Sequence, residues 1–232
     1  MDDAELKRDL ALACRILAAN GHGDNIFGHV SVRANGDRFW MKAQHLGLEE
    51  ITEDDLVLLD RAGKVLEGKR ERHIEFPIHA EVFHARPDVQ CVVHTHPPYS
   101  VVAGARRLDI RPVGHEGALF WPPGVPIFEE FTDLVTTSEQ GERVAKALGP
   151  RIALFLRNHG IVTAASSIAL ATIAAITLEK AAMLQLLAQP TPETAVAHTS
   201  AEEAPVKRGR IWSERAVQAQ WRYFVRRLPP TA

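Results

Sequence analysis

The chain has 232 residues, enough to bury a sizeable core as one domain or as a domain with a tail. Hydrophobic residues make up 46% and charged residues 24%, the balance of a soluble globular protein. A formal net charge of -2 gives no electrostatic reason to expect nucleic acid or an anionic membrane as partner.

Leu6, Leu10, Cys14 and Leu17 recur at helical spacing, which predicts a helix over residues 3–20 that stops at Asn20 and Gly21. A loop over 21–29 leads to strands at 30–33 and 39–42, joined by the turn Asn35-Gly36-Asp37. A second hairpin, 57–60 with 64–67, turns at Arg61-Ala62-Gly63. Pro77 suits the first turn of a helix over 76–85, and Pro87 bars its continuation past Arg86. Residues 89–95 read as a buried strand. The Pro- and Gly-rich stretch 112–128 reads as a shaped loop with short strands. Thr137 and Gln140 form a capping-box pattern for a helix ending at Gly149-Pro150. Segments 152–157 and 161–164 are strand-like, and Ser167 caps a long apolar helix over 168–189. The uninterrupted apolar run within it, 168–178, contains Thr172 and Thr177, stops at Glu179 and Lys180, and is too short to cross a bilayer. We expect a main domain at 1–190 and, at 191–232, a polar linker and a helix opened by Ser213 with Val217, Trp221, Phe224 and Val225 on one side. That helix docks either on its own domain or on a neighbouring subunit.

Cys14 and Cys91 fall on a helix face and a buried strand, with no disulfide or Cys-rich zinc pattern. Reduced buried thiols and an acidic start, Met1-Asp2-Asp3, unlike a signal peptide, lead us to expect a cytoplasmic protein.

The chemistry concentrates at His94-Thr95-His96. A strand puts residues i and i+2 on one face, so both imidazoles point the same way. A third histidine, His159, ends another apolar run and is followed by Gly160. Three neutral imidazoles on strand ends can hold a catalytic divalent ion and leave a position open for substrate. The pair alone is also compatible with a polar strand end. Glu75, at a helix start, is a candidate fourth ligand, a general acid/base, or a carboxylate complementing the helix dipole.

His73-Ile74-Glu75-Phe76-Pro77-Ile78-His79, Ala85-Arg86-Pro87-Asp88, Val92-Val93-His94-Thr95-His96 and Arg157-Asn158-His159-Gly160 together resemble the class II aldolase/adducin family. So do Gly28-His29-Val30-Ser31-Val32-Arg33 and the stretch from Ile51 to Val57. The resemblance implies an α/β fold: a three-layer α/β/α domain around a mixed, largely antiparallel sheet. It implies that His94, His96 and His159 bind a divalent ion, commonly zinc, and that Glu75 is the acid/base on the metal side. His79, one turn after Glu75, would orient a neighbour. It also implies a homotetramer with sites at subunit interfaces, which would place His115, Trp212 and Tyr223 there.

The chain departs from the sugar-phosphate members of that family. Phe27-Gly28-His29, Lys42-Ala43-Gln44-His45 and His73-Ile74 stand where those members carry small hydroxyl or amide donors for a phosphate. We therefore expect a non-phosphorylated substrate, with His29, Lys42, His45 or His73 meeting a carboxylate or phenol and Tyr223 arriving from the C-terminal helix. His115 is either a proton carrier or a structural turn histidine. The expected reaction is carbon–carbon cleavage of a small hydroxy- or keto-carboxylate, decarboxylation ranked above retro-aldol cleavage and both above epimerisation. Sugar-phosphate aldolase or epimerase activity, an adducin-like interaction module and a metal hydrolase are the alternatives. Three imidazoles and a carboxylate accept zinc, manganese, iron, cobalt or nickel.

Overall fold

The computed structural model describes residues 2–188 and 195–229. Eight strands form one sheet in the order β4-β3-β2-β1-β5-β8-β7-β6. They are β1 (His29–Arg33), β2 (Arg38–Lys42), β3 (Leu56–Asp60), β4 (Val65–Glu67), β5 (Cys91–Thr95), β6 (Ile127–Phe128), β7 (Ala153–Leu156) and β8 (Gly160–Ala165). Every pairing is antiparallel except β6 with β7. The expected mixed, largely antiparallel α/β/α fold is what the chain adopts.

Alternation along the strands decides which face each residue serves. Val30, Val32, Trp40, Cys91 and Val93 pack with α1 (Asp3–Leu17) and α5 (Ile168–Leu187). Phe39, Met41, Val92, Leu154 and Val162 pack with α2 (Phe76–Ala85) and, beyond α3 (Pro98–Ala105), α4 (Ser138–Leu148). His29, Ser31 and His94 therefore face α2, the helix that carries Glu75 at its start.

Local chemistry explains these elements. Asp2 caps α1 by accepting from the Glu5 amide at 2.8 Å, and Leu10, Ile16 and Leu17 are fully buried on its inner face. Each such burial contributes about 1.5–3 kcal/mol. The helix ends as expected, with Gly21 at φ 86° inside a wider turn over Ala18–His22. The helix α2 has the predicted bounds. Beyond it, Arg86 donates to the Gly149 carbonyl at 2.6 Å and pairs with Asp88, tying the end of α2 to the end of α4. The two helices approach closely: a Cβ on Gly141 would lie 2.5 Å from the Pro77 carbonyl oxygen.

Two elements lay hidden in proline-bearing sequence. The helix α3 follows Pro97 with Pro98 in its first turn, where a proline needs no amide partner. The helix α6 (Glu203–Ile211) occupies the second half of what reads as linker, with Ala204 buried against Ala118 and Trp121. The boundary expected at 190/191 lies outside the described residues. The last helix, α7 (Glu214–Arg227), buries Val217 and Trp221 in the core shared with α1 and α5. The helix α5 spans 20 residues, more than its apolar run suggests, and by length and composition alone it could cross a membrane. Half of its most apolar window is buried inside this fold, as in a core helix.

Candidate metal centre and active site

Register brings the site together. His29 on β1 lies directly opposite His94 on the neighbouring β5, and β8 flanks β5 on its other side. His159 sits in the β7–β8 turn, after Asn158 at φ 56°, a left-handed conformation that Asn tolerates. Gly160 is required next: a Cβ there would lie 2.5 Å from the Thr95 carbonyl oxygen and 2.6 Å from the His96 ring. The turn can thus press His159 against the His94–His96 pair.

The ligating nitrogens of His94, His96 and His159 lie within 4.8 Å of one another. The tautomers of His94 and His96 follow from their partners. His94 Nδ1 donates to the Ile161 carbonyl and His96 Nδ1 to Asp24 Oδ2, each at 2.9 Å. Both acceptors lack protons, so each Nε2 of the neutral rings is a lone pair. Those two lone pairs face each other at 3.0 Å. His159 Nε2 is buried with no hydrogen-bond partner. Burial lowers all three pKa values, His159 to about 4, with the neighbouring imidazoles adding to the effect at His94 and His159. Two facing lone pairs repel unless a cation sits between them, and the third neutral imidazole converges on the same point, so this donor set fits a divalent metal ion.

Glu75 stands beside this set. Its Oε2 is 3.7 Å from His94 Nε2, and its Oε1 is 3.7 Å from His159 Nε2. Oε1 also accepts the Val135 amide at 2.9 Å. Burial raises its pKa to about 7, against the pull of that amide. A carboxyl poised there can hold or release a proton near neutrality, and it is close enough to join the imidazoles as a ligand.

His29, His73 and Glu75 form a second compact group, again within 4.8 Å. The rings of His29 and His73 are 3.9 Å apart between centroids. Burial pushes His73 to about 3 and His29 well below its ordinary value. His73 Nδ1 accepts the Glu75 amide at 3.3 Å, which leaves its proton on Nε2. Glu75, His73, His45, Ile26, Phe27 and Leu134 line a cavity of about 160 Å³. No lysine or arginine is among its described lining residues.

Two expected substrate contacts, Lys42 and Tyr223, and the candidate proton carrier His115 lie outside the histidine cluster. Lys42 follows Trp40 in the strand alternation, so it faces α1 rather than α2. It is fully buried and donates to the Ile26 carbonyl at 3.0 Å, holding the 21–28 loop from beneath. Its role is to anchor the loop. His115 is exposed at the start of a short 3-10 turn, Glu116–Leu119, whose Glu116 pairs with Lys180 of α5 at 2.6 Å. Tyr223 is 48% exposed on α7, beside Phe224 and Arg227. Neither joins the histidine cluster of its own chain, and Trp212 is partly buried against the core.

The sequence reading gave no role to Asp24, Ser31 or His22. Asp24 orients His96 across 72 positions of sequence. His22 bonds Thr95 Oγ1 at 2.9 Å on the other face of β5 and secures the start of the same loop.

Fold and site together define an α/β protein of aldolase architecture with a donor set suited to a divalent metal ion. The sequence profile of the Class II Aldolase and Adducin N-terminal domain matches residues 8–186, and the chain belongs to that family. It is 34% identical over 195 residues to a 3,4-dihydroxyphthalate decarboxylase from Arthrobacter keyseri, covering 79% of this chain and 78% of that one. Decarboxylase NovR from Streptomyces niveus is 33% identical over 190 residues, covering 80% and 70%. An L-fuculose 1-phosphate aldolase from Glaciozyma antarctica superposes with a TM-score of 0.84 at 27% identity, covering 96% of this chain and 88% of that one. The chain is an enzyme of the lyase class.

Proposed function

We propose that this lyase is a zinc-dependent decarboxylase of a small, non-phosphorylated hydroxy-carboxylate, with a hydroxylated aromatic acid as its best substrate. One observation carries the reading. Glu75, with a pKa near neutrality, lies between the three converging imidazoles and a cavity with no lysine or arginine among its described lining residues to hold a phosphate. Ile26, Phe27, Ile74 and Leu134 around that cavity are 36–51% exposed, an apolar mouth suited to a flat ring. Decarboxylases among the relatives support the choice.

His94, His96 and His159 would hold the ion, with Glu75 as a further ligand when no substrate is present. The bound cation supplies Lewis acidity toward negative charge that develops on substrate oxygens. The apolar mouth excludes water from the ring. His29 and His73 offer N–H groups to the substrate's oxygens. When the carbon–carboxylate bond breaks, carbon dioxide leaves and the electron pair stays on the ring carbon. Glu75 delivers the proton that replaces the lost group and regains one from solvent before the next turnover.

We also propose a homotetramer in the cytoplasm. The exposed His115 and Tyr223 would then serve a neighbouring copy's site, with His115 assisting proton transfer and Tyr223 touching substrate. The two cysteines, buried and free, suit a reducing compartment. The decisive experiment supplies zinc-loaded protein with 3,4-dihydroxyphthalate, 3,4-dihydroxybenzoate and a hydroxy-keto acid. Carbon dioxide and aldehyde are measured separately. Carbon dioxide from an aromatic acid is the expected result; aldehyde alone would replace this reading with retro-aldol cleavage.

A further inference from the structure

A chain of three buried side chains runs behind Glu75. Ser31 Oγ lies 2.6 Å from His79 Nδ1, and His79 Nε2 lies 2.6 Å from His29 Nδ1. All three residues have no solvent exposure. The chain ends at His29 Nε2, which is buried, has no hydrogen-bond partner and lies 3.6 Å from Glu75 Oε2. The geometry is local and regular: positions 29 and 31 share a strand face, and 75 and 79 share a helix face.

Two proton arrangements satisfy the two internal bonds, and they are not equal. Among the described residues the Ser31 hydroxyl has one hydrogen-bond partner, His79 Nδ1. If His79 donated to Ser31, the hydroxyl proton would be left buried without an acceptor. If Ser31 donates, its proton is used and only spare lone pairs go unmatched, which costs less. The second arrangement then propagates. His79 carries its proton on Nε2 and donates to His29 Nδ1, so His29 carries its proton on Nε2, facing the site.

We propose that Ser31 and His79 are positioning residues that hold His29 as an Nε2–H donor beside Glu75, there to bind an anionic oxygen of the substrate. At 3.6 Å the N–H makes no hydrogen bond to Glu75, which leaves it available to a ligand oxygen arriving beside both groups. The ligand half of the inference rests on the carboxylate-lyase reading above; the proton arrangement does not. His29, His73 and Glu75 could alternatively hold a second metal ion, but that would need a lone pair on His29 Nε2 and the opposite arrangement along the chain.

Long-range proton–nitrogen correlation spectra of the zinc-loaded protein test the arrangement without any substrate. The expected result is the Nε2–H tautomer at both His29 and His79, with one zinc per chain. Ser31→Ala should erase the tautomer preference of His29, leave zinc stoichiometry unchanged and lower kcat on the aromatic acid by about tenfold or more. Ser31→Thr, which keeps the hydroxyl, should restore both. A wild-type His29 protonated on Nδ1, or a second zinc lost in His29→Asn, would overturn the proposal. So would a Ser31→Ala protein whose His29 spectrum is unchanged. Should Ser31→Ala fail to fold, the wild-type spectrum still decides. If the tautomers are as stated but no carboxylic acid is turned over, the functional reading fails alone.

Discussion

Two groups of histidines meet at Glu75, built from the same residue type and presenting opposite chemistry. At the rim, His94 and His96 each spend Nδ1 on an acceptor, the Ile161 carbonyl or the Asp24 carboxylate, so their Nε2 lone pairs point inward. Behind, His29 is fed through His79 from a hydroxyl donor, and its Nε2 points inward with a proton. Burial keeps the rings of both groups neutral. What separates metal ligand from hydrogen-bond donor is therefore the partner on the far side of each ring, one bond removed from the site.

The sharpest way to break the comparison is to remove a lone pair from the rim. His94→Ala should abolish zinc retention in dialysed protein and lower turnover by ~10³-fold or more, the several kcal/mol a Lewis-acid cation supplies. The same substitution should leave the tautomers of His79 unchanged, because His79 belongs to the other group. Retention of stoichiometric zinc by this variant would remove His94 from the ligand set. Next in size is Glu75→Gln. It keeps the shape and the Val135 contact at Oε1 but cannot exchange a proton. Turnover should fall about 10²–10⁴-fold while zinc content is largely preserved. A fully active Glu75→Gln protein would mean that another group moves the proton.

The rim was legible in the sequence because it is local. The i, i+2 pair at 94 and 96 needs only strand alternation, and Pro77 and Pro87 set both ends of α2. Thr137 caps α4 through the Gln140 amide at 3.3 Å, as the pattern predicts. Lys42 shows a reading that stopped too soon. Its parity with Trp40 already assigns it to the α1 face, whereas the expected substrate contact rests on Lys42-Ala43-Gln44-His45 standing where sugar-phosphate members of the family carry phosphate donors. Asp24 and the Ser31–His79–His29 chain were not legible for another reason. Each depends on which strands are neighbours and on how α2 lies over them, with 48 to 73 residues separating the partners of their contacts and of the His22–Thr95 bond. The helices α3 and α6 were missed because proline reads as a break, although it is tolerated in a first turn.

Acid should act on the buried imidazoles irrespective of metal. His22 and His79 are held neutral by burial, each with a folded-state pKa of about 3 against an ordinary value of 6.5. Below 6.5 the unfolded chain binds protons that the folded chain refuses, so stability is full above that pH and falls as pH drops toward 3. At pH 5 each of the two groups costs about 2 kcal/mol relative to neutrality. Urea unfolding of chelator-treated protein should therefore shift to lower midpoints between pH 7.5 and pH 5. Equal midpoints would mean that these rings take up protons without leaving their packed positions.

The smallest effect tests the rim's outer partner and so sharpens the comparison most finely. Asp24 is 47% exposed at the side chain and lies on the loop that Lys42 and His22 secure, so its bond to His96 is open to water. Asp24→Asn retains a carbonyl oxygen that can accept from His96 Nδ1 but loses the negative charge that makes Nε2 a stronger donor to a cation. Zinc affinity should weaken by about tenfold, at the low end for loss of an outer partner, because solvent can replace part of the bond. Asp24→Ala should weaken it further, toward ~10²-fold. Competition with a zinc-buffering dye reads both directly. Unchanged affinity in both variants would show that His96 is oriented by the strand and the Gly160 contact alone, and that the rim owes its lone-pair geometry to the backbone.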